Sequence, residues 1–173
     1  MSNVSRLMTH HTIPADLARV TIRFLKTADH TAFIALERDA DVREYVNGPS
    51  TKSDGDFLHG LRSYTPTTSL LVIADPNSDA FLGRCGLRPV DGTNEVELFL
   101  LLAKSSQRKG IGESVLRFLI QLARSEAKEP VGIVHPENQA SQALLKKVGM
   151  SLAGTVSSND YQNGHLRYVA TDG

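Results

Sequence analysis

Residues 97–113 read Glu97-Leu98-Phe99-Leu100-Leu101-Leu102-Ala103-Lys104-Ser105-Ser106-Gln107-Arg108-Lys109-Gly110-Ile111-Gly112-Glu113. Six apolar residues, 98–103, are followed by a polar link and a basic, glycine-broken turn. The apolar run is too short for a buried helix and reads as a strand. From Gly110 to Lys128, Ile111, Val115, Phe118, Leu119 and Leu122 recur at i, i+4, i+7, i+8 and i+11, an amphipathic helix of about five turns. The first turn of such a helix leaves backbone N–H groups without intrahelical acceptors and carries about half a positive charge. A phosphate can be bound there by main chain alone. Gly110 and Gly112 clear side chains from the loop, and Arg108 and Lys109 add cationic donors. A pyrophosphate is the guest this turn suits.

Upstream, the runs 69–74, 81–90 and 94–103 are β-rich and separated by the turn clusters Asp75-Pro76-Asn77-Ser78-Asp79 and Asp91-Gly92-Thr93, which predicts an antiparallel meander. Before it, Val20, Ile22 and Phe24 alternate with polar neighbours as a first strand. Thr27 is placed to cap a helix with Asp29 in its first turn and Ala32, Phe33 and Leu36 as its stripe. Val42, Tyr45 and Val46 predict a second short helix ended by Asn47-Gly48-Pro49, and residues 51–63 a third. Downstream, residues 131–134 read as a strand. Pro136-Glu137-Asn138 opens a helix with Leu144, Leu145 and Val148 on one face and Gly149 as its stop. Residues 150–156 and 165–170, joined through Asn163-Gly164, read as a closing strand pair. The order βααα-βββ-αβαββ predicts an α+β fold, a single mixed and mostly antiparallel sheet with helices on both faces. Residues 1–18 lack periodicity and are expected to be a flexible lead-in with a turn at Pro14, leaving 19–173 as one domain.

The chain has 173 residues, 40% hydrophobic and 22% charged, with 19 Lys+Arg balanced by 19 Asp+Glu. That is one globular domain without the global basic field that holds nucleic acid or an anionic membrane. One cysteine, Cys85, excludes a disulfide framework and a multi-cysteine metal site. Its place in an apolar strand between Gly83 and Gly86 reads as a buried, inert thiol. The six histidines His10, His11, His30, His59, His135 and His165 show no ligand spacing, so no metal is implied. With no apolar run approaching a span and no leader, the expectation is a soluble, unprocessed, cytoplasmic protein.

Two phosphate loops are excluded. A Walker A sequence occurs nowhere, and where a Rossmann fingerprint needs its third glycine this chain has Val115. Gln107-Arg108-x-Gly110-x-Gly112 instead resembles the acyl-CoA pyrophosphate loop of the GNAT superfamily of N-acyltransferases. His135-Pro136-Glu137-Asn138-Gln139-Ala140-Ser141 with Leu145-Lys146-Lys147-Val148-Gly149-Met150 resembles that family's P-x-N-x-x-S segment and its following K-x-G-F, Met150 standing where Phe is usual. Arg23-Phe24-Leu25, residues 81–87 and Glu95-Val96-Glu97-Leu98 are similar to stretches of the branch that contains the ribosomal-protein alanine acetyltransferases. The resemblance spans residues 19–170. It implies acetyl-CoA as cosubstrate, with Gln107, Arg108, Lys109, Gly110, Ile111, Gly112 and Glu113 around the pyrophosphate. The pantetheine arm would lie along 98–103 as an added strand, beside a splayed neighbour at 131–135. Backbone N–H groups of Leu100, Leu101 and Leu102 would meet the arm or polarise the thioester carbonyl. Asn138 and Ser141 match cofactor-contacting positions, although Asn138 also reads as a helix cap and Ser141 as a small packing residue.

An amine must be neutral to attack a thioester. An α-amine of pKa near 8 is roughly 10% neutral at pH 7, a lysine amine only about 4 parts in 10,000. Glu95 and Glu97 lie two apart on a strand, ~6 to 7 Å from each other on one face, and either can take the proton through a water. Glu97 matches the acidic position common in the family, so it comes first and Glu95 second. Many members protonate the departing thiolate with a tyrosine at the position of Leu145; here solvent or a nearby hydroxyl can serve, Tyr161 and Tyr168 being candidates that read more readily as surface or core packing. The resemblance therefore implies an N-acetyltransferase acting by direct transfer on a primary amine. A protein or peptide N-terminus is the first choice and a small amine (amino acid, polyamine, amino sugar or antibiotic) the second. A non-catalytic acyl-CoA sensor is one rival, and an interaction module whose glycine loop is merely structural is another. Acidic residues Glu37, Asp39, Asp41, Glu44, Asp54 and Asp56 are candidates to attract the amine. Oligomeric state, a homodimer included, is left open.

Overall fold

The apolar runs become strands β1 (Thr21–Arg23), β2 (Leu71–Ala74), β3 (Phe81–Pro89), β4 (Glu95–Leu102), β5 (Glu129–Val134), β6 (Met150–Val156) and β7 (His165–Ala170). The helical stripes become α1 (His30–Arg38), α2 (Asp54–Arg62), α3 (Ile111–Ser125) and α4 (Gln139–Lys147). These come from a computed structural model of the chain that describes residues 19–62, 69–157 and 164–170. The expectations for residues 1–18, including His10, His11 and Pro14, and those for Ser63, Tyr161 and Asn163 lie outside the described residues.

All strands join one sheet in the order β1-β2-β3-β4-β5-β7-β6. Every neighbouring pair is antiparallel except β4 and β5. The helices sort onto the two faces as the alternation of side chains dictates. On one face Val115 and Leu119 of α3 and Leu145 of α4 close the main core with Ile73, Cys85, Leu87, Val96 and Leu98. On the other, Phe33 and Ile34 of α1 pack with Phe57 of α2. Cys85 is fully buried, and that burial pushes its thiol up, out of nucleophilic reach. Among the described residues no helix is long and apolar enough to cross a membrane.

The first crossover rests on a buried ion pair rather than on a Thr27 cap. Residues Thr27–Asp29 form a 3-10 turn leading into α1. The carboxylate of Asp29 accepts from Arg23 Nη1 (2.7 Å) and Nη2 (2.9 Å) and from the Lys26 amide (2.7 Å). Burial alone would raise this carboxyl; the Arg23 and Lys26 donors outweigh it and hold Asp29 below the ordinary aspartate range.

The helix expected around Val42, Tyr45 and Val46 does not form. That segment is a run of turns, because side chains satisfy the main chain in place of a helical ladder. The Asp39 carboxylate accepts from the amides of Asp41 (3.0 Å) and Val42 (3.1 Å), and Arg43 donates to the carbonyls of Val46 (2.8 Å) and Gly48 (2.7 Å). Asn47 and Gly48 take left-handed φ of 56° and 70°, which reverses the chain where a helix would have gone on.

Candidate active site

β4 and β5 pair only at Glu95↔Glu129, Val96↔Pro130 and Glu97↔Val131. Beyond Glu97 they part, while β4 stays registered with β3 through Leu102↔Gly83 and β5 with β7 through Val134↔Leu166. The sheet therefore opens along the stretch expected to be splayed. The Ala103 amide donates to Leu82 O and the Glu95 carbonyl accepts from the Val90 amide, so odd-numbered residues of β4 turn their main-chain groups to β3. Even-numbered residues turn theirs to the opening. Leu100 thus directs both N–H and C=O into the gap. Leu102 directs its N–H there, its carbonyl being met by Gln107 Nε2 at 3.1 Å. Leu101 faces β3 instead, where a Cβ on Gly83 would stand 2.3 Å from its carbonyl oxygen.

The N-terminus of α3 sits at the same end of the opening. Gly110 is its N-cap with φ 78°, no side chain caps this end, and Arg108 is left-handed as well (φ 59°). Arg108, Lys109 and Gly110 are exposed. Arg19, which sequence reasoning passed over, braces the turn by donating to Lys109 O at 3.1 Å. Gly112 serves packing rather than loop clearance. A Cβ there would lie 3.0 Å from Leu144 Cδ2 and 3.5 Å from Leu100 Cδ2, so its absence lets α3 settle against α4 and β4. Glu113 offers an anion only its amide, because its carboxylate is committed to Lys147 (2.6 Å) and Arg117 (3.0 Å), which hold it below the ordinary glutamate range. Asn138 acts as the α4 cap, its Oδ1 accepting from Ser141 N at 3.0 Å; the side-chain nitrogen is the part left for a cofactor amide.

Glu95, Glu97, Phe99 and Leu101 share the sheet face opposite α3. Both carboxylates meet arginines that the sequence did not flag. Glu97 is buried and stands 3.4 Å from Arg88 Nη1, its cross-strand neighbour. Glu95 pairs with Arg167, which reaches across β5 from β7. Arg84 lies 4.9 Å over the Phe99 ring. The only advance signal for Arg84 and Arg88 was two charges four apart in an apolar strand. At the far side of the opening His135 follows β5, with Tyr45 at 5.4 Å and His165 at 5.2 Å between ring centroids. Leu145 is buried against Gly132 and carries no proton. Tyr168 is core, its hydroxyl 3.4 Å from Gln142 Oε1 on α4. All six acidic candidates have local uses, Glu44 in a hydrogen bond with the Tyr45 hydroxyl. Glu37 binds Arg43 and Arg84, Asp39 accepts from its own turn, Asp41 pairs with Lys104, Asp54 with Arg38, and Asp56 bonds Ser53.

The profile of the family described as Acetyltransferase (GNAT) domain matches residues 19–151. The chain belongs to this family. It is an acetyltransferase, and a single mixed seven-strand sheet with four helices is the fold it shares with solved relatives. The spermidine N-acetyltransferase of Vibrio cholerae, solved with CoA and spermine, superposes with TM-score 0.73 at 14% identity, covering 88% of this chain and 94% of that one. The aminoglycoside acetyltransferase AAC(6')-Ib, solved with coenzyme A, gives TM-score 0.69 at 18% identity over 88% and 94%. An uncharacterized protein of Bacillus subtilis (strain 168), YkkB, is 23% identical over 146 residues, 80% of this chain and 85% of its own. Acetyl-CoA is the cosubstrate of the family. The donor set of this acetyltransferase fits it: an uncapped helix end with two cationic neighbours, adjoining a strand with free-facing main chain. Among the described residues no three His, Cys, Asp or Glu side chains are grouped to hold a metal ion.

Proposed function

We propose that this acetyltransferase transfers the acetyl group of acetyl-CoA directly to a primary amine, with the α-amine of a protein or peptide N-terminus as the preferred acceptor, as in the branch its sequence resembles. The observation that carries the reading is the parting of β4 from β5 beside the uncapped end of α3. The cosubstrate, when bound, supplies an activated acyl carbon whose bond to sulfur breaks as the bond to nitrogen forms.

The chain's own residues divide the remaining work. Arg108, Lys109 and the amides of Gly110, Ile111, Gly112 and Glu113 hold the pyrophosphate, and Gln107 fixes the loop to β4. Leu100 and Leu102 donate main-chain hydrogen bonds along the opening, with Leu100 N–H suited to the carbonyl being attacked. Glu97 takes the amine proton, directly or through a water, and Glu95 lies one alternation behind it. With leucine at position 145, solvent returns a proton to the departing thiolate, whose ordinary pKa of about 8.5 makes it a tolerable leaving group.

The acceptor assignment is supported by where the acidic residues are spent. All six are bound by local partners rather than arrayed for a polycation, and an α-amine needs far less deprotonation than a lysine-like amine. One feature favours a small cationic amine as a second reading. Glu44 and Glu137 both lie near Tyr45 and, after burial, are what raise its hydroxyl pKa, so the rim of the opening carries negative potential. Titration with acetyl-CoA in a calorimeter, followed by mass spectrometry of a panel of peptides and small amines, tests the proposal. Saturable binding and a peptide acetylated at its N-terminus are expected. Binding without any acetylated product would leave a sensor, and no binding would remove the reading altogether.

A further inference from the structure

Residues 39–50, the segment that forms turns instead of a helix, are tied at both ends to the last turn of α1. The Asp39 amide donates to Leu36 O at 3.4 Å, and the Ser50 amide returns to Glu37 O at 2.8 Å. Between these ends the segment touches both margins of the β4/β5 opening. Asp41 pairs with Lys104, just past the end of β4, and Tyr45 lies on His135, just past the end of β5. It is a strap across the gap on the face that carries Glu97.

What holds the strap is one carboxylate. Glu37 is buried, with Arg43 Nη1 at 2.6 Å from one oxygen and Arg84 Nε at 2.5 Å from the other. Arg43 belongs to the strap and spends its other donors on the carbonyls of Val46 and Gly48. Arg84 belongs to β3 and stacks over Phe99, two residues from Glu97. A buried carboxylate between two guanidiniums is costly unless all three are hydrogen-bonded. Here they are, so the arrangement has one geometry, and that geometry fixes Tyr45 and the strap relative to β3 and β4.

We propose that Glu37 is a positioning residue for the acceptor, latching the strap 39–50 through Arg43 and Arg84 so that it walls the amine's approach to the β4/β5 opening. The inference rests on the transferase reading above. Glu37 touches neither the pyrophosphate turn nor the open main chain of β4, so loosening the latch should disturb amine binding and leave acetyl-CoA binding alone.

The test compares wild type with Glu37→Gln and Arg43→Lys, the second keeping the charge while losing the two carbonyl contacts. The acceptor is whichever of an alanine-initiated tetrapeptide, spermidine and glycine the wild type acetylates fastest. For Glu37→Gln the KM for that amine should rise about tenfold with the acetyl-CoA Kd within about twofold. Hydrolysis of acetyl-CoA without amine should increase, a gain that partial unfolding cannot produce. Arg43→Lys should show the same split at about threefold and decides the matter if Glu37→Gln does not fold. An unchanged KM in the folded variants, or KM and Kd rising in step, overturns the latch and leaves the transferase standing. A wild type that binds acetyl-CoA but acetylates nothing overturns both.

Discussion

Glu97 and Arg88 face each other across β3 and β4, with carboxylate and guanidinium 3.4 Å apart. Glu97 is buried while the Arg88 side chain is about half exposed. The guanidinium thus supplies the counter-charge a buried carboxylate requires while itself remaining at the surface.

Replacing Glu97 with Gln keeps the side chain's shape and removes its capacity to take a proton. Turnover at neutral pH should fall by about a hundredfold or more, with acetyl-CoA affinity preserved. Raising the pH toward the amine's own pKa should narrow the gap, because solvent then performs the deprotonation. A flat gap across the pH profile would assign the proton to another group.

Gly110→Val tests the phosphate turn. A branched side chain at φ 78° strains the α3 N-cap and lies beside Arg19, at a cost of about 1–3 kcal/mol. Calorimetry should show acetyl-CoA binding weakened by about tenfold or more, with the fold retained by circular dichroism.

Gly83→Ala tests the foundation of β4. The added Cβ would stand 2.3 Å from Leu101 O and 2.9 Å from Leu102 Cα, both backbone atoms that yield only if the strands separate. Urea denaturation should show a loss of about 3 kcal/mol or an unfolded protein, opposite in sign to the gain that alanine for glycine ordinarily brings inside a strand.

Asp29→Asn removes one partner of the buried pair with Arg23 and should cost about 3 kcal/mol at pH 7. Because the folded carboxyl lies below its ordinary value, its contribution is complete above that ordinary value, about pH 4, and is lost as pH falls through the folded one. Wild type and variant should therefore converge in stability on acidification. Parallel denaturation series at neutral pH and about pH 3 check the sign.

Periodicity located all seven strands, because each is a short apolar or alternating run bounded by turn residues. It also located α1, α2, α3 and α4. It misjudged 42–46, where apolar spacing suggested a helix but Asp39 and Arg43 claim the main-chain groups that a helix would use. The carboxylates Glu95 and Glu97 were legible as a pair on one strand face. Their partners were not, since Arg88 and Arg167 reach them only through the β3/β4 and β5/β7 registers, the latter 72 residues away in the chain. His135 and His165 looked like isolated histidines for the same reason. Asn138 was readable as either cap or contact, and local geometry gave its oxygen to the cap.

Three rungs between β4 and β5 are all that stitch β1–β4 to β5–β7 within the sheet. On the proposed placement, a cosubstrate bonded to Leu100 takes up part of the edge that β5 leaves open, so the fold would borrow rigidity from it: amide exchange at Leu100 should slow on loading, and the melting point should climb with acetyl-CoA concentration.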